Sequence, residues 1–318
     1  MLLNSRIKFR HLQTFLEVAR QKSVVKAAAI LNISQPAVSK TLRELEDALG
    51  VGLFERDGRG IRITRYGEVF RRHARAALTA LRQGIDSVSQ DLLDAVEPVR
   101  VGALPTVSTR IMPYAMSLFL EERTGSRIKI VTGENAVLLE QLRLGELDLV
   151  VGRLAAPEKM AGLTFEHLYS EQVVFAVRTG HPLIDSSASI FEGIAAHPIL
   201  MPTQGSVIRP YVDQLLMTNG IAGLPTQIET VSHAFGRAFV RSSDAIWIIS
   251  EGVVSGDIAE GDLAVLPVDT SETKGPVGLT LRANIAPSAP QSILMQTLRQ
   301  AAGEVRNASN VISGQFED

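Results

Sequence analysis

The stretch SQPAVSKTLRELEDALG, Ser34 to Gly50, carries its own start, stop and two faces. Ser34 is a good N-cap, and Pro36 falls in the first turn, where a missing backbone N–H costs nothing. Val38, Leu42, Leu45 and Leu49 recur at helical spacing and define a buried stripe, leaving Gln35, Ser39, Lys40 and Arg43 on the solvent side. Gly50 supplies the left-handed residue that closes the helix. Upstream, Phe9, Leu12, Phe15, Leu16 and Ala19 form one amphipathic segment, and Ser23 caps a short second one with Val24, Ala27, Ala28 and Leu31. Only Asn32 and Ile33 join the second segment to the third, so those helices must cross steeply, as in a helix-turn-helix whose second helix enters the major groove of DNA. Spacing alone is equally compatible with an ordinary three-helix core that has a polar outer face.

Further along, Leu53 and Phe54 return to the core, and Arg56-Asp57-Gly58-Arg59-Gly60 reads as a tight turn between two short strands. That is a wing, whose Arg56, Arg59 and Arg62 suit the DNA backbone or minor groove. No proline interrupts Thr64 to Asp94, enough for a helix of roughly 45 Å at about 1.5 Å per residue. Ala74, Leu78, Leu81, Ile85, Val88 and Leu92 follow a heptad pattern along it and call for a partner helix. Val96-Glu97-Pro98 ends it. From Val99 onward, apolar strand-like runs (VRVGAL, IKIVT, LDLVVG, ILMP, QIETV, AIWIIS) alternate with helical segments, which implies parallel sheets flanked by helices.

The chain has 318 residues, 45% hydrophobic and 21% charged, which suits two or three folded domains. It contains no cysteine, which excludes disulfides, thiolate metal sites and a cysteine nucleophile and is compatible with a reducing cytoplasm. The N-terminus lacks the apolar run of a signal peptide, and no 18 consecutive residues are apolar, so a soluble cytoplasmic protein without membrane contact is expected. Net charge is only −2, yet residues 1–95 carry 16 Lys+Arg against 10 Asp+Glu, while the remainder carries 16 against 24. A basic head on an acidic body suits DNA binding by one end. None of the nucleotide, phosphate-loop, zinc-protease or serine-hydrolase motifs is present, and the six histidines (His11, His73, His167, His181, His197, His233) lack metal-ligand spacing. The expectation is a protein that is not an enzyme and has no metal or cofactor.

The run Ser34-Gln35-Pro36-Ala37-Val38-Ser39, with Leu45-Glu46, Leu49-Gly50, Leu53-Phe54, Arg56 and Arg59, resembles the N-terminal domain of LysR-type transcriptional regulators. The phrases FRHLQTF, KSVVKAAA and GRGIRITRYGEVF resemble the subgroup that regulates protocatechuate catabolism, with regulators of sugar-binding proteins close behind. The chain departs from the family at Ile63-Thr64-Arg65-Tyr66-Gly67, where Leu-Thr-x-Ala-Gly is usual. The resemblance implies a winged helix-turn-helix domain at 1–64, a dimerising linker helix at 65–95, a two-lobed α/β effector domain of the periplasmic-binding-protein type at 96–308, and a frayed tail at 309–318. The passages around Gln172 to Val177 and Leu263 to Leu281 would then cross between lobes, and a last helix bearing Leu294, Leu298, Ala301 and Val305 would return to the first. DNA contacts would come from Ser34, Gln35, Pro36, Ser39, Lys40, Arg43, Arg56 and Arg59. The implied partners are double-stranded DNA with an interrupted palindrome, a small anionic effector, a homodimer assembling to a tetramer, and RNA polymerase, with activation the usual outcome.

In open α/β sheets, ligands sit beyond the carboxyl ends of strands and beside helix N-termini. That rule selects Pro105 to Ser108, with the Thr106 and Ser108 hydroxyls, and Pro202 to Ile208, with Thr203, Gln204, Gly205 and Ser206, close to Arg209. Arg153 ends the apolar run LDLVVGR and matches a family position that often lines the effector cleft. A buried guanidinium needs an anion, either a protein carboxylate such as Asp148 or Glu134 or a ligand. The subgroup resemblance favours a carboxylated product of aromatic-ring cleavage, with Thr106, Ser108 and Thr203 donating hydroxyls and Arg209 as a second clamp. The alternatives are a regulator of a sugar or amino-acid operon with another effector, or a two-lobed enzyme or solute binder fused to a helical head.

Overall fold

The computed structural model describes residues 6–58, 60–91, 98–186 and 190–313. They divide into two compact units that meet in sequence at Ala95 and Val96, with 144–146 grouped with the first. The first unit contains α1 (Phe9–Gln21), α2 (Val24–Leu31), α3 (Gln35–Leu49), a hairpin of β1 (Phe54–Asp57) and β2 (Gly60–Ile63), and α4 (Arg65–Asp91). Phe15, Val18, Ala27, Val38, Leu42, Leu45, Leu53 and Ala74 form its core. The caps are local chemistry: the Ser23 hydroxyl accepts from the Lys26 N–H, Ser34 accepts from Ala37, and Gly50 closes α3 at φ 71°. His11 is buried with Nε2 3.3 Å from a Glu44 carboxylate oxygen, and Arg10 reaches the same oxygen at 3.0 Å, so α1 is fastened to α3.

The wing is mounted on α3 as well. Glu46 Oε1 accepts from the Leu53 and Phe54 N–H groups at 2.6 and 3.2 Å, and the hairpin then runs antiparallel from Phe54↔Ile63 to Asp57↔Gly60. Thr64 caps α4 by accepting from the Gly67 N–H at 3.1 Å while its hydroxyl donates to the Gly52 carbonyl at 2.8 Å. A Cβ on Gly67 would stand 2.3 Å from the Leu53 carbonyl oxygen, so the helix can approach the wing only with glycine there. The departure from the family pattern thus falls on Ile63, which packs against the core, and on Tyr66, which is exposed, and spares the glycine. Along α4, Ala74 is buried in the core, whereas Leu81 and Ile85 are 46% and 57% exposed. The Val88 side chain and Leu92 lie outside the described residues, as does Arg59 in the wing.

The second unit has two lobes. Lobe I holds β3 (Val99–Ala103), α5 (Pro105–Arg110), α6 (Met112–Glu121), β4 (Ile128–Thr132), α7 (Asn135–Arg143), β5 (Leu149–Arg153) and β6 (Leu163–Glu171). Lobe II holds β7 (Val173–Arg178), α8 (Ile190–Gly193), β8 (Ile199–Met201), α9 (Arg209–Thr218), β9 (Gln227–Glu229), α10 (His233–Arg241), β10 (Ile246–Ser250), α11 (Glu251–Ala259) and β11 (Leu263–Val265). The chain then returns through β12 (Gly275–Arg282) and α12 (Ala289–Ser313). Sheet orders are β4-β3-β5-β12-β6 and β11-β7-β10-β8-β9. β5 and β10 are buried along their whole length, the condition of strands covered on both faces. α12 completes lobe I, with Leu294, Leu298 and Ala301 in its core.

Two expectations are corrected. The sheets are mixed rather than purely parallel, because β6–β7 and β11–β12, which carry the chain between lobes, pair antiparallel with their neighbours. The tail expected from Ser309 is helical through Ser313, since no proline or glycine interrupts the chain between Gly303 and Gly314; residues 314–318 lie outside the described residues. Among the described residues, no helix is long and apolar enough to cross a membrane.

Candidate functional site

On the first unit, the solvent face of α3 presents Gln35, Lys40 and Arg43 exposed and Ser39 half-buried, with Ser34 and Pro36 exposed at its N-terminus. The buried Val38, Leu42 and Leu45 fix this orientation. Arg56 is exposed on β1, but Arg62, its neighbour in the wing, is engaged by Glu55 across the hairpin at 2.8 Å. The arrangement offers amide, hydroxyl and cationic donors on a convex helix, the set that reads base edges and phosphates.

On the second unit, a small cavity of about 60 Å³ lies between the lobes, its wall including Thr106 and Arg153 from lobe I and Thr203, Ser206, Thr230 and His233 from lobe II. Arg153 ends β5 and is 3% exposed. Its Nη2 donates to the Thr273 carbonyl, its guanidinium carbon stands 5.1 Å from the Tyr211 ring centre, and its Nη1 has no hydrogen-bond partner among the described residues. Gly275 lets it lie there, because a Cβ on that residue would be 2.4 Å from Nη2. Burial lowers the Arg153 pKa and the Glu171 carboxylate opposes that shift. The Thr106 hydroxyl, also buried on the cavity wall, has no partner either. His233 is pushed down to about 4 by burial and by Arg237, so its imidazole is uncharged at neutral pH.

Among the protein carboxylates, Glu171 acts on Arg153 through its charge, whereas the two that the sequence offered are engaged elsewhere. Asp148 accepts from the Arg100 N–H at 2.7 Å, and Glu134 accepts from the Thr203 hydroxyl at 3.4 Å. The Arg209 side chain, expected as a second clamp, donates to Asp213 at 2.7 Å, Glu229 at 2.6 Å and the Pro202 carbonyl at 2.8 Å, which makes it an internal ion-pair hub. Residues 105–110 are helical, and the Ser108 hydroxyl donates to the Leu104 carbonyl at 3.0 Å. Sequence reasoning missed Tyr211, Thr230, His233 and Gly275. Gly275, followed by Pro276, looks like any turn glycine until Arg153 is seen lying against it. Among the described residues, no three His, Asp or Glu side chains gather as a metal site.

Two family models match the chain: "Bacterial regulatory helix-turn-helix protein, lysR family" over residues 9–68 and "LysR substrate binding domain" over residues 95–303. The HTH-type transcriptional regulator PcaQ of Agrobacterium fabrum is 69% identical over 96% of this chain and 98% of its own. Among solved structures, CbnR, a LysR family transcriptional regulator, aligns at TM-score 0.62 with 21% identity, covering 93% of this chain and 99% of that one. The full-length regulator LysG of Corynebacterium glutamicum, solved with bound effector Arg, aligns at 0.63 with 19% identity over 94% and 99%. At such identities the structures speak for the fold alone.

Proposed function

The chain belongs to the LysR family of bacterial transcriptional regulators, and from that premise we propose that it binds an operator through α3 and answers to a carboxylated product of aromatic-ring cleavage held at Arg153. Gln35, Ser39, Lys40 and Arg43 read base edges, Ser34 and Pro36 bring the N-terminus of α3 against the backbone, and Arg56, with Arg59, holds phosphate. The operator is an interrupted palindrome, matched by a dimer formed along α4 and by a tetramer of such dimers. The protein works in the cytoplasm as an activator in contact with RNA polymerase, and it is not an enzyme.

The observation that carries the effector half is Arg153, a buried cation on the cavity wall, one of whose nitrogens has no hydrogen-bond partner among the described residues. Such a group is costly unless an anion completes it. Thr106, Thr203, Ser206 and Thr230 supply hydroxyls for the rest of the acid. A cavity of about 150 Å³ accepts benzene, so the present 60 Å³ admits only part of a seven-carbon acid and the lobes part to take it in. A thermal-shift screen of ring-cleavage acids against the intact protein tests the reading, since a ligand that binds only the native state raises the melting temperature by mass action. The expected result is a shift from a carboxylated muconate or its lactone; no shift from any such acid would overturn the effector assignment.

A further inference from the structure

Where the lobes join, buried polar atoms with no hydrogen-bond partner among the described residues collect, Tyr169 Oη, Ser250 Oγ, Thr106 Oγ1 and Arg153 Nη1, beside the Glu171 carboxylate, which the Gly252 backbone N–H approaches. Glu171 is the last residue of β6, immediately before the crossing at Gln172, and is 2% exposed. Two arginines and one acid face it. Arg110, on α5 of lobe I, stands 3.7 Å from Glu171 and 3.9 Å from Glu251 on α11 of lobe II, and so is shared between lobes. Arg153 lies against Gly275, the residue paired with Glu171 across the sheet. Tyr169, on the same strand as Glu171, lies 5.7 Å beneath the Arg110 guanidinium, and a Cβ on Gly252 in α11 would be 2.8 Å from Glu171 Oε2.

Resting on the effector reading above, we propose that binding of an anion at Arg153 draws one proton from solvent onto the Glu171 carboxylate, making Glu171 the positioning residue that ties the cleft to the lobe junction. Burial, helped by Glu251, favours the neutral acid and raises the Glu171 pKa to about 7, while Arg110, then Arg153, and the Gly252 backbone N–H favour the ionised form. A ligand carboxylate on Arg153 cancels one of the two supporting charges. The bound-state pKa then lies above the free-state value, so the complex holds more protons than the free protein and binding weakens as pH rises from the free to the bound value. A neutral Glu171 also gives up its claim on Arg110, which leaves that guanidinium to Glu251 in lobe II.

Calorimetry of the intact protein with 3-carboxy-cis,cis-muconate in two buffers of different ionisation enthalpy reads the proton directly. A net uptake of a fraction of a proton per site near pH 7.5 is expected in the parent, and none in Glu171→Gln. Zero uptake in the parent, or equal uptake in both, overturns the proposal. A second measurement needs no ligand: the infrared carbonyl band of protonated Glu171, assigned by its loss in Glu171→Gln, is titrated in the parent, in Arg153→Met and in Arg110→Met. Its midpoint must rise in the variants, and an unmoved midpoint in a folded variant overturns the coupling. If the acid fails to bind at all, the effector assignment falls while the infrared titration still decides the proton.

Discussion

Replacing Arg209 by methionine separates a ligand clamp from a structural hub. The guanidinium donates to two carboxylates and one carbonyl, and its side chain is 9% exposed, while Asp213 and Glu229 are 36% and 39% exposed. A hydrogen bond to a charged group is worth about 1.5–3 kcal/mol when shielded, but partly exposed carboxylates regain water and each pair falls toward about 1 kcal/mol. Adding the Pro202 carbonyl, which loses its donor, the variant should be destabilised by about 2–3 kcal/mol. For a unit of this size that corresponds to a fall in melting temperature of roughly 4–12 °C, read by calorimetry as the transition of the second unit. Effector affinity of the folded variant should stay within a few-fold of the parent. An unchanged melting temperature together with lost effector binding would refute the hub and restore Arg209 as a clamp.

Leu81→Glu places a carboxylate on the exposed apolar face of α4, so sedimentation should show a weakened dimer at a concentration where the parent is fully assembled. Arg56→Ala should lower the slope of log affinity against log salt by about one per contacted phosphate, whereas Gln35→Ala should relax base preference with that slope intact; equal losses on operator and random DNA would remove the distinction. Gly236→Ala brings a Cβ to 2.6 Å from Trp247, and this overpacking should cost about 1–3 kcal/mol in the same calorimetric transition. His233 has a folded-state pKa of about 4, below its unfolded value near 6.5, so the unfolded chain gains a proton first as pH falls. The stability it contributes is present above about pH 6.5 and is lost as pH falls toward 4; His233→Gln should flatten that part of the stability profile.

The helix-turn-helix was legible because its signals are local: caps, spacing and a left-handed glycine lie within the Ser34 to Gly50 stretch itself. Arg153 was legible for a similar reason, since a charge ending an apolar strand is visible in one dimension. What could not be read was the fate of each charge. Arg209 looked as available as Arg153, and only the fold shows Glu229 from β9 and Asp213 one turn along α9 closing on it. The Ser108 hydroxyl looked free because residues 105–108 read as a loop, and helix formation turned it onto the Leu104 carbonyl. The neutral His233 depends on burial that only the folded lobe supplies, and the Glu171 cluster on side chains from both lobes that are remote in sequence, which no spacing rule reports.

Titration calorimetry of parent and Arg153→Met with the ring-cleavage acid that stabilises the parent, run beside operator binding by the same two proteins without effector, tests the central claim most directly. The account predicts that the variant loses measurable acid binding while effector-free operator affinity remains within a few-fold, because one function rests on β5 and the other on α3. Acid affinity unchanged in Arg153→Met would contradict it.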